Sequence, residues 1–260
     1  MSPQGSPTET VLDVVVPARN EAGRIARGLA TLSGRLARLP VGGKIIVVDN
    51  GSTDATAEIV RQWSGPVPVR LLRCPRPGKG AAVRLGLLTT TAPYVGFCDT
   101  DMATDLEILE DVLAMLGSGA QVVVGSRTHP ESDVEIYSRP IRRLGAVAFN
   151  RLCRDITGGI GDTQCGFKFF SGPLARAAAA DLRIAGFAFD VELLVHCRRR
   201  GAAIAEIPVT WRDMPGSTFS ISRHAAGCLR DLLRIRAAAR RPMVAEVMPD
   251  VTVGADELRA

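Results

Sequence analysis

The stretch KIIVVDNGSTDAT, residues 44 to 56, holds the pattern that decides the fold. A run of β-branched residues from Ile45 to Val48 stops at Asp49, and Ser52-Thr53-Asp54 follow as a cluster of helix N-cap residue types. A strand that is apolar at consecutive positions is buried on both faces, which in soluble proteins means a parallel sheet covered by helices. The pattern recurs in VLDVVVP from Val11, PVRLLRC from Pro68, PYVGFCD from Pro93 and AQVVVGS from Ala120. Helical periodicity is expected between them over residues 21–39, 54–63, 79–89 and 106–115. The reading is an α/β fold, a mostly parallel twisted sheet with helices on both faces.

The second half is less regular. Helices are expected over residues 140–153, 189–200 and 224–239, and strands over 163–170 and 203–207. Residues 208–223 are rich in turn formers and read as a mobile loop that can act as a lid. The expected division is a disordered N-terminus over residues 1–10, one domain over 11–241 and a flexible tail over 242–260.

The 260 residues are 46% hydrophobic and 23% charged, ordinary for one soluble α/β domain. Six cysteines lack a CxxC pair or metal-ligand spacing and read as reduced thiols. No apolar run approaches the ~18 residues of a spanning helix, and the N-terminus lacks signal-peptide regions. The expectation is a cytoplasmic protein whose membrane contact, if any, is peripheral, with nucleic acid not among its partners. The formal net charge of +5 is unevenly placed: Arg223, Arg230, Arg234, Arg236, Arg240 and Arg241 stand against Asp231 alone. With Leu229, Leu232, Leu233 and Ile235 interleaved, that helix reads either as an amphipathic element for an anionic membrane or as one packed on the sheet with solvated arginines.

In open α/β sheets ligands bind outside the carboxyl ends of the strands. Asp49 ends one strand, and GFCDTDMATD (residues 96 to 105) ends another with Asp99 and Asp101. Carboxylates converging on one crevice repel unless a cation is present, and Mg²⁺ or Mn²⁺ bound through one or two of them and substrate phosphates meets that demand. The alternative is that Asp99 and Asp101 are solvated caps for the next helix. Lys79, between Gly78 and Gly80 at a helix start, is placed to bring its ammonium and neighbouring N–H groups to a phosphate, or is an exposed N-terminal lysine.

Four motifs stand in order at strand ends: VVVPARNEAGRI (14 to 25), VVDNGSTDAT (47 to 56), PGKGAAVRLGL (77 to 87) and CDTDMATD (98 to 105). With them the chain resembles the family 2 glycosyltransferases of the GT-A fold. VVVGSR (122 to 127), DTQCGFKFF (162 to 170), FAFDVELL (187 to 194) and EIPVTWRDMPGSTFSISR (206 to 223) are similar to the dolichyl-phosphate glucosyltransferase and polyprenyl-phosphate sugar synthase branch. The resemblance implies that Pro17, Arg19, Glu21 and Asp49 surround the base and ribose of a nucleotide diphosphate sugar, with Lys79 toward its phosphates. It makes Asp101 the metal ligand proper and sets Asp99 beside it against the donor ribose or sugar. Where mannosyl-phosphate relatives often carry a glutamine this chain has Ala103, which leans away from the mannose enzymes.

The resemblance also places Asp190 as general base or, for an acceptor that is already anionic, as an orienting group. A helix N-cap is its plainer reading. Arg127, Lys168 and Arg223 are candidate phosphate clamps, and Asp162, Gln164, Lys168 and Ser217 are expected to shape the acceptor pocket. His224 is either a metal contact or a cap-region residue. The implied reaction is inverting, metal-dependent transfer of a hexose, from UDP-glucose, to a polyprenyl or dolichyl phosphate. The alternatives are the same donor with a soluble hydroxyl acceptor, a sugar-nucleotide binder without turnover, or a nucleotidyltransferase, whose glycine-rich activation loop PARNEAGR lacks.

Overall fold

The computed structural model describes residues 10–135, 149, 151–214 and 221–239, with only the backbone of 221–226. The strands are β1 (Thr10–Ala18), β2 (Gly42–Asp49), β3 (Val69–Arg73), β4 (Tyr94–Cys98), β5 (Val122–Ser126), β6 (Asp133–Glu135), β7 (Phe167–Ser171), β8 (Ile204–Pro208) and β9 (Thr210–Arg212). The helices are α1 (Ile25–Arg38), α2 (Thr56–Arg61), α3 (Lys79–Thr89), α4 (Leu109–Gly117, preceded by a 3₁₀ turn, Leu106–Ile108), α5 (residues 151–157), α6 (Gly172–Asp181), α7 (Phe189–Arg199) and α8 (Ile221–Ala239).

Seven strands form one sheet in the order β3-β2-β1-β4-β7-β5-β8. It is parallel except for β7, which runs antiparallel between β4 and β5. The consecutive burial read from the sequence has a simple cause. Val14, Val16, Ile45 and Val47 point into the layer beneath α1 and α4, while Val15, Ile46 and Val48 point into the layer under α3, α6 and α7. Each fully buried Val, Leu or Ile contributes about 1.5–3 kcal/mol of transfer free energy.

Helix α3 has the expected bounds, whereas α1 and α2 start later than expected, after structured turns. The capping reading for Asp99 and Asp101 is corrected: Asp105 caps the 3₁₀ turn, its carboxylate accepting from the Glu107 N–H at 3.0 Å. The loop expected from residue 208 is also partly corrected, since β9 pairs with β6 in a second, two-stranded sheet. The Arg212 N–H donates to the Ala103 carbonyl at 2.9 Å and Asp105 N–H to that of Thr210 at 2.9 Å, so this small sheet braces the turn after β4. Residues 215–220, including Ser217, lie outside the described residues, as do the tail from 240, residues 1–9 and most of the helix expected at 140–153. Among the described residues no helix is long and apolar enough to cross a membrane.

Candidate active site

The registers Ala18↔Asp49 and Val15↔Phe97 set the carboxyl ends of β2 and β4 on either side of β1. The turns after β1 and β2 are stitched together. Asn20, in the left-handed region at φ 55°, donates its N–H to Ser52 Oγ at 2.9 Å and accepts from Thr53 N–H at 2.8 Å. The Glu21 N–H donates to Thr56 Oγ1 at 2.7 Å and the Ala22 N–H to Asp54 at 3.0 Å. The Ser-Thr-Asp cluster therefore holds the first turn, where the sequence suggested a simple cap for α2. Asp49 is buried and accepts from the Ser52 N–H at 3.1 Å. Pro17 is half-buried, Glu21 is buried and Arg19 is exposed at the end of β1.

Beyond β4, the middle residue of Asp99-Thr100-Asp101 is the anchor. Thr100 is buried and donates its hydroxyl to the Pro17 carbonyl at 2.8 Å. Its own carbonyl lies where a Cβ at Gly28 would sit, 2.3 Å away, so α1 packs closely on this turn. Met102 takes φ 48°, and Asp101 accepts from the Ala103 N–H at 3.3 Å. A Cβ at Gly166 would fall 2.1 Å from Asp99 Oδ2, so the glycine of DTQCGFK makes room for this carboxylate.

Lys79 reaches Asp99, Nζ to Oδ1 2.5 Å. Burial alone lowers an ammonium pKa, but Asp99, Asp190 and Asp101 outweigh it and raise the Lys79 pKa. The expected cradle of N–H groups beside it is corrected. The Gly80 N–H donates to the Ala185 carbonyl at 2.8 Å and the Gly78 N–H to Asn50 Oδ1 at 2.7 Å. Gly78, at φ 121°, and Gly80 serve close backbone contact with residues 184–185, since a Cβ on either would meet their carbonyls within 2.5 Å.

Lys168 is corrected as a phosphate clamp. It is fully buried, with Nζ 2.7 Å from Asp190 Oδ1, 2.6 Å from the Cys165 carbonyl and 5.3 Å from the Phe97 ring centroid. Asp190 lies in the first turn of α7 and is itself buried. Burial raises its pKa more than Lys168 and Lys79 lower it. The simple N-cap reading of Asp190 does not hold, because Ala188 is the cap residue.

Arg127 and Asp162 form a second fixed pair. Arg127 donates through Nε at 2.7 Å, Nη2 at 3.0 Å and its backbone N–H at 3.1 Å, and the guanidinium lies 5.3 Å from the Trp211 ring centroid. Burial alone works against charge at both groups, yet their attraction wins, raising the Arg127 pKa and lowering that of Asp162. Gln164 is half-buried, and its N–H donates to Asp162 at 3.0 Å. Arg223 and His224 begin α8, but their side chains lie outside the described residues.

A residue the sequence reading missed is Arg24. It pairs with Glu21 and, after the hydrogen bond to Glu21 and the cost of burial, feels the charges of Asp101 and Asp99. The i, i+3 spacing from Glu21 is the signal that could have found it. Among the described residues no three His, Cys, Asp or Glu side chains are grouped to hold a metal. Asp49 therefore does not form a three-carboxylate ligand set with Asp99 and Asp101, although the ends of β2 and β4 flank β1. The pair itself suits a hard divalent ion completed by water and phosphate oxygens. Burial first, and then the charge of Asp99, raise the Asp101 pKa against the Ala103 N–H and the charges of Arg24 and Lys79.

The sequence model for "Glycosyl transferase family 2" matches residues 13–176. The chain belongs to glycosyl transferase family 2. This family 2 glycosyltransferase is 38% identical over 231 residues to the dolichyl-phosphate beta-glucosyltransferase ALG5C of Trichomonas vaginalis, covering 84% of this chain and 68% of that one. It is 35% identical over 228 residues to the dolichyl-phosphate beta-glucosyltransferase of Homo sapiens, covering 82% and 70%. Among solved structures, glucosyl-3-phosphoglycerate synthase from Mycobacterium tuberculosis with Mn²⁺, UDP and glucosyl-3-phosphoglycerate superposes with a TM-score of 0.61 at 21% identity, covering 89% and 80%. S. aureus TarS 1-349 gives 0.58 at 17% identity, covering 88% and 64%. The structural likeness establishes the GT-A fold of this glycosyltransferase.

Proposed function

We propose that this glycosyltransferase moves glucose, with inversion, from UDP-glucose to a polyprenyl phosphate of the dolichyl type. The relatives named as dolichyl-phosphate beta-glucosyltransferases support the reaction class. The observation that carries the acceptor is the buried ion pair of Asp190 with Lys168 at 2.7 Å. A hydroxyl acceptor needs a carboxylate free to take its proton. A phosphate acceptor arrives ionised and needs none.

The phosphate oxygen attacks the anomeric carbon, the bond from that carbon to the β-phosphate oxygen breaks, and its electron pair leaves with UDP. Asp99 and Asp101 would hold Mg²⁺ or Mn²⁺, which when bound offsets charge building on the departing diphosphate. Pro17, Arg19, Glu21 and Asp49 bind the nucleoside, and Lys79 adds positive charge beside Asp99. Arg127, held by Asp162 and Trp211, presents a fixed guanidinium to the acceptor phosphate, with Gln164 beside it on Asp162. Asp190 orients Lys168, and through it the core beneath the site.

The test is glucose transfer from UDP-glucose with Mn²⁺ to a short polyprenyl phosphate, beside the corresponding polyprenol. Product from the phosphate alone is expected. Product from the alcohol at a comparable rate would refute the acceptor.

A further inference from the structure

The motif EIPVTWRD begins at Glu206, on the edge strand β8, in register with Val124 of β5. Ile207 turns into the layer beneath α1 and α4. Side chains alternate along a strand, so Glu206 faces the opposite layer, where Ile160 is buried. There both of its carboxylate oxygens accept from backbone N–H groups, Oε2 from Gly161 at 3.0 Å and Oε1 from Asp162 at 3.2 Å. A Cβ at Gly161 would fall 3.2 Å from Glu206 Oε1 and 2.7 Å from Thr128 Oγ1, so the glycine lets the backbone come up to the carboxylate. Gly158 and Gly159 precede this turn at φ 70° and 100°. A glycine-rich turn loses more conformational freedom on ordering than other sequences, and it needs a fixed acceptor to keep one shape.

Through Asp162 that shape reaches the site. Asp162 is buried and accepts from Arg127 Nε at 2.7 Å, Nη2 at 3.0 Å and the backbone N–H at 3.1 Å. Five residues after Glu206, the Trp211 ring centroid lies 5.3 Å from the same guanidinium. Both ends of EIPVTW therefore bear on Arg127, Trp211 through its ring and Glu206 through the backbone of Asp162. A carboxylate can aim a planar fork only while its own backbone is held, and the Asp162 N–H is held by Glu206.

We infer that Glu206 is a positioning residue for the transfer, fixing the Gly161–Asp162 turn so that Asp162 holds the Arg127 guanidinium in one orientation toward the acceptor phosphate. This rests on the reading of Arg127 as the clamp of a polyprenyl phosphate. A guanidinium grips phosphate bidentately only when its plane and direction match, and a displacement of about 1 Å in such a group costs up to about a hundredfold in rate.

The experiment compares wild-type protein with Glu206→Gln, which keeps the shape but turns an amide NH₂ toward one of the two N–H groups. Gly161→Ala is the second variant and presses on the same contact from the turn. Both should lower kcat/KM for a short polyprenyl phosphate on the order of tenfold, chiefly through KM for that acceptor, with Mn²⁺-dependent UDP affinity unchanged in calorimetry. In an Arg127→Lys background, where the fork is already lost, Glu206→Gln should cost little more. Wild-type kinetics in both variants would overturn the inference, as would an undiminished cost in the Arg127→Lys background. A fall in UDP affinity as large as the fall in kcat/KM would also overturn it, making Glu206 a support of the whole fold.

If wild-type protein leaves polyprenyl phosphate unglucosylated, the acceptor reading fails, and the Arg127 side chain itself decides the positioning. Its Nε–H resonance, identified by its loss in Arg127→Lys, should exchange with water on the order of tenfold faster in Glu206→Gln than in wild-type protein. Equal exchange in the two proteins would overturn the inference.

Discussion

Lys168 and Asp190 meet at 2.7 Å inside the protein, one fully buried and the other nearly so. Removing one partner leaves an unpaired buried charge, which costs about 3–5 kcal/mol, whereas removing both is far milder. Lys168→Met and Asp190→Leu should each lower stability strongly in urea melts, and the double variant should be more stable than either. Strictly additive losses would show that the two charges do not support one another.

Gly166 is predicted to matter through Asp99 alone. Gly166→Ala puts a methyl where Asp99 Oδ2 now sits, and that half-exposed carboxylate can swing away at little cost in stability. Turnover should fall on the order of a hundredfold, as for other displacements of about 1 Å in a reacting centre, with the melting temperature nearly kept. Wild-type kinetics in this variant would remove Asp99 from the site.

Thr100 anchors the acidic turn to the Pro17 carbonyl. Thr100→Val keeps the shape and loses the hydrogen bond, at a cost of about 1 kcal/mol plus the unsatisfied carbonyl. Thr100→Ser retains the donor and should retain metal-dependent UDP binding, while Thr100→Val weakens it. Equal binding by the two would make the hydroxyl irrelevant.

The Asp162 carboxylate is held below its ordinary pKa because Arg127 outweighs the cost of burial. A depressed carboxylate adds stability that is complete above the unfolded pKa, about 4, and is lost as pH falls through the lower folded value. Melting temperature should therefore drop more steeply below about pH 4 in wild-type protein than in Asp162→Asn. Parallel acid limbs in the two proteins would contradict the pairing.

Much of this was legible because buried parallel strands announce themselves. Ile45 to Val48 are apolar at every position, since each face of β2 has its own core, and Asp49 marks where the strand emerges. Helix α6 went unread although Pro173 marks its first turn, and β6 and β9 are too short for periodicity to register. Gly78 and Gly80 misled for another reason. Their partners, Ile184 and Ala185, are more than a hundred residues away, and no local pattern reports a tertiary backbone contact. Lys168 misled in the same way. The alternation in Phe167-Lys168-Phe169-Phe170 puts the lysine on a buried face, and only Asp190 on α7 makes that tolerable.

The central claim is that Asp99 and Asp101 hold a divalent ion through which the donor diphosphate binds. Calorimetric titration of UDP with Mn²⁺ or with chelator, on wild-type protein and Asp101→Asn, tests it most directly. Wild-type protein should bind UDP tightly only with Mn²⁺, and the variant should lose that dependence together with a factor of about 10²–10³ in turnover. Equal UDP affinity with and without the metal, or full activity in Asp101→Asn, would contradict it.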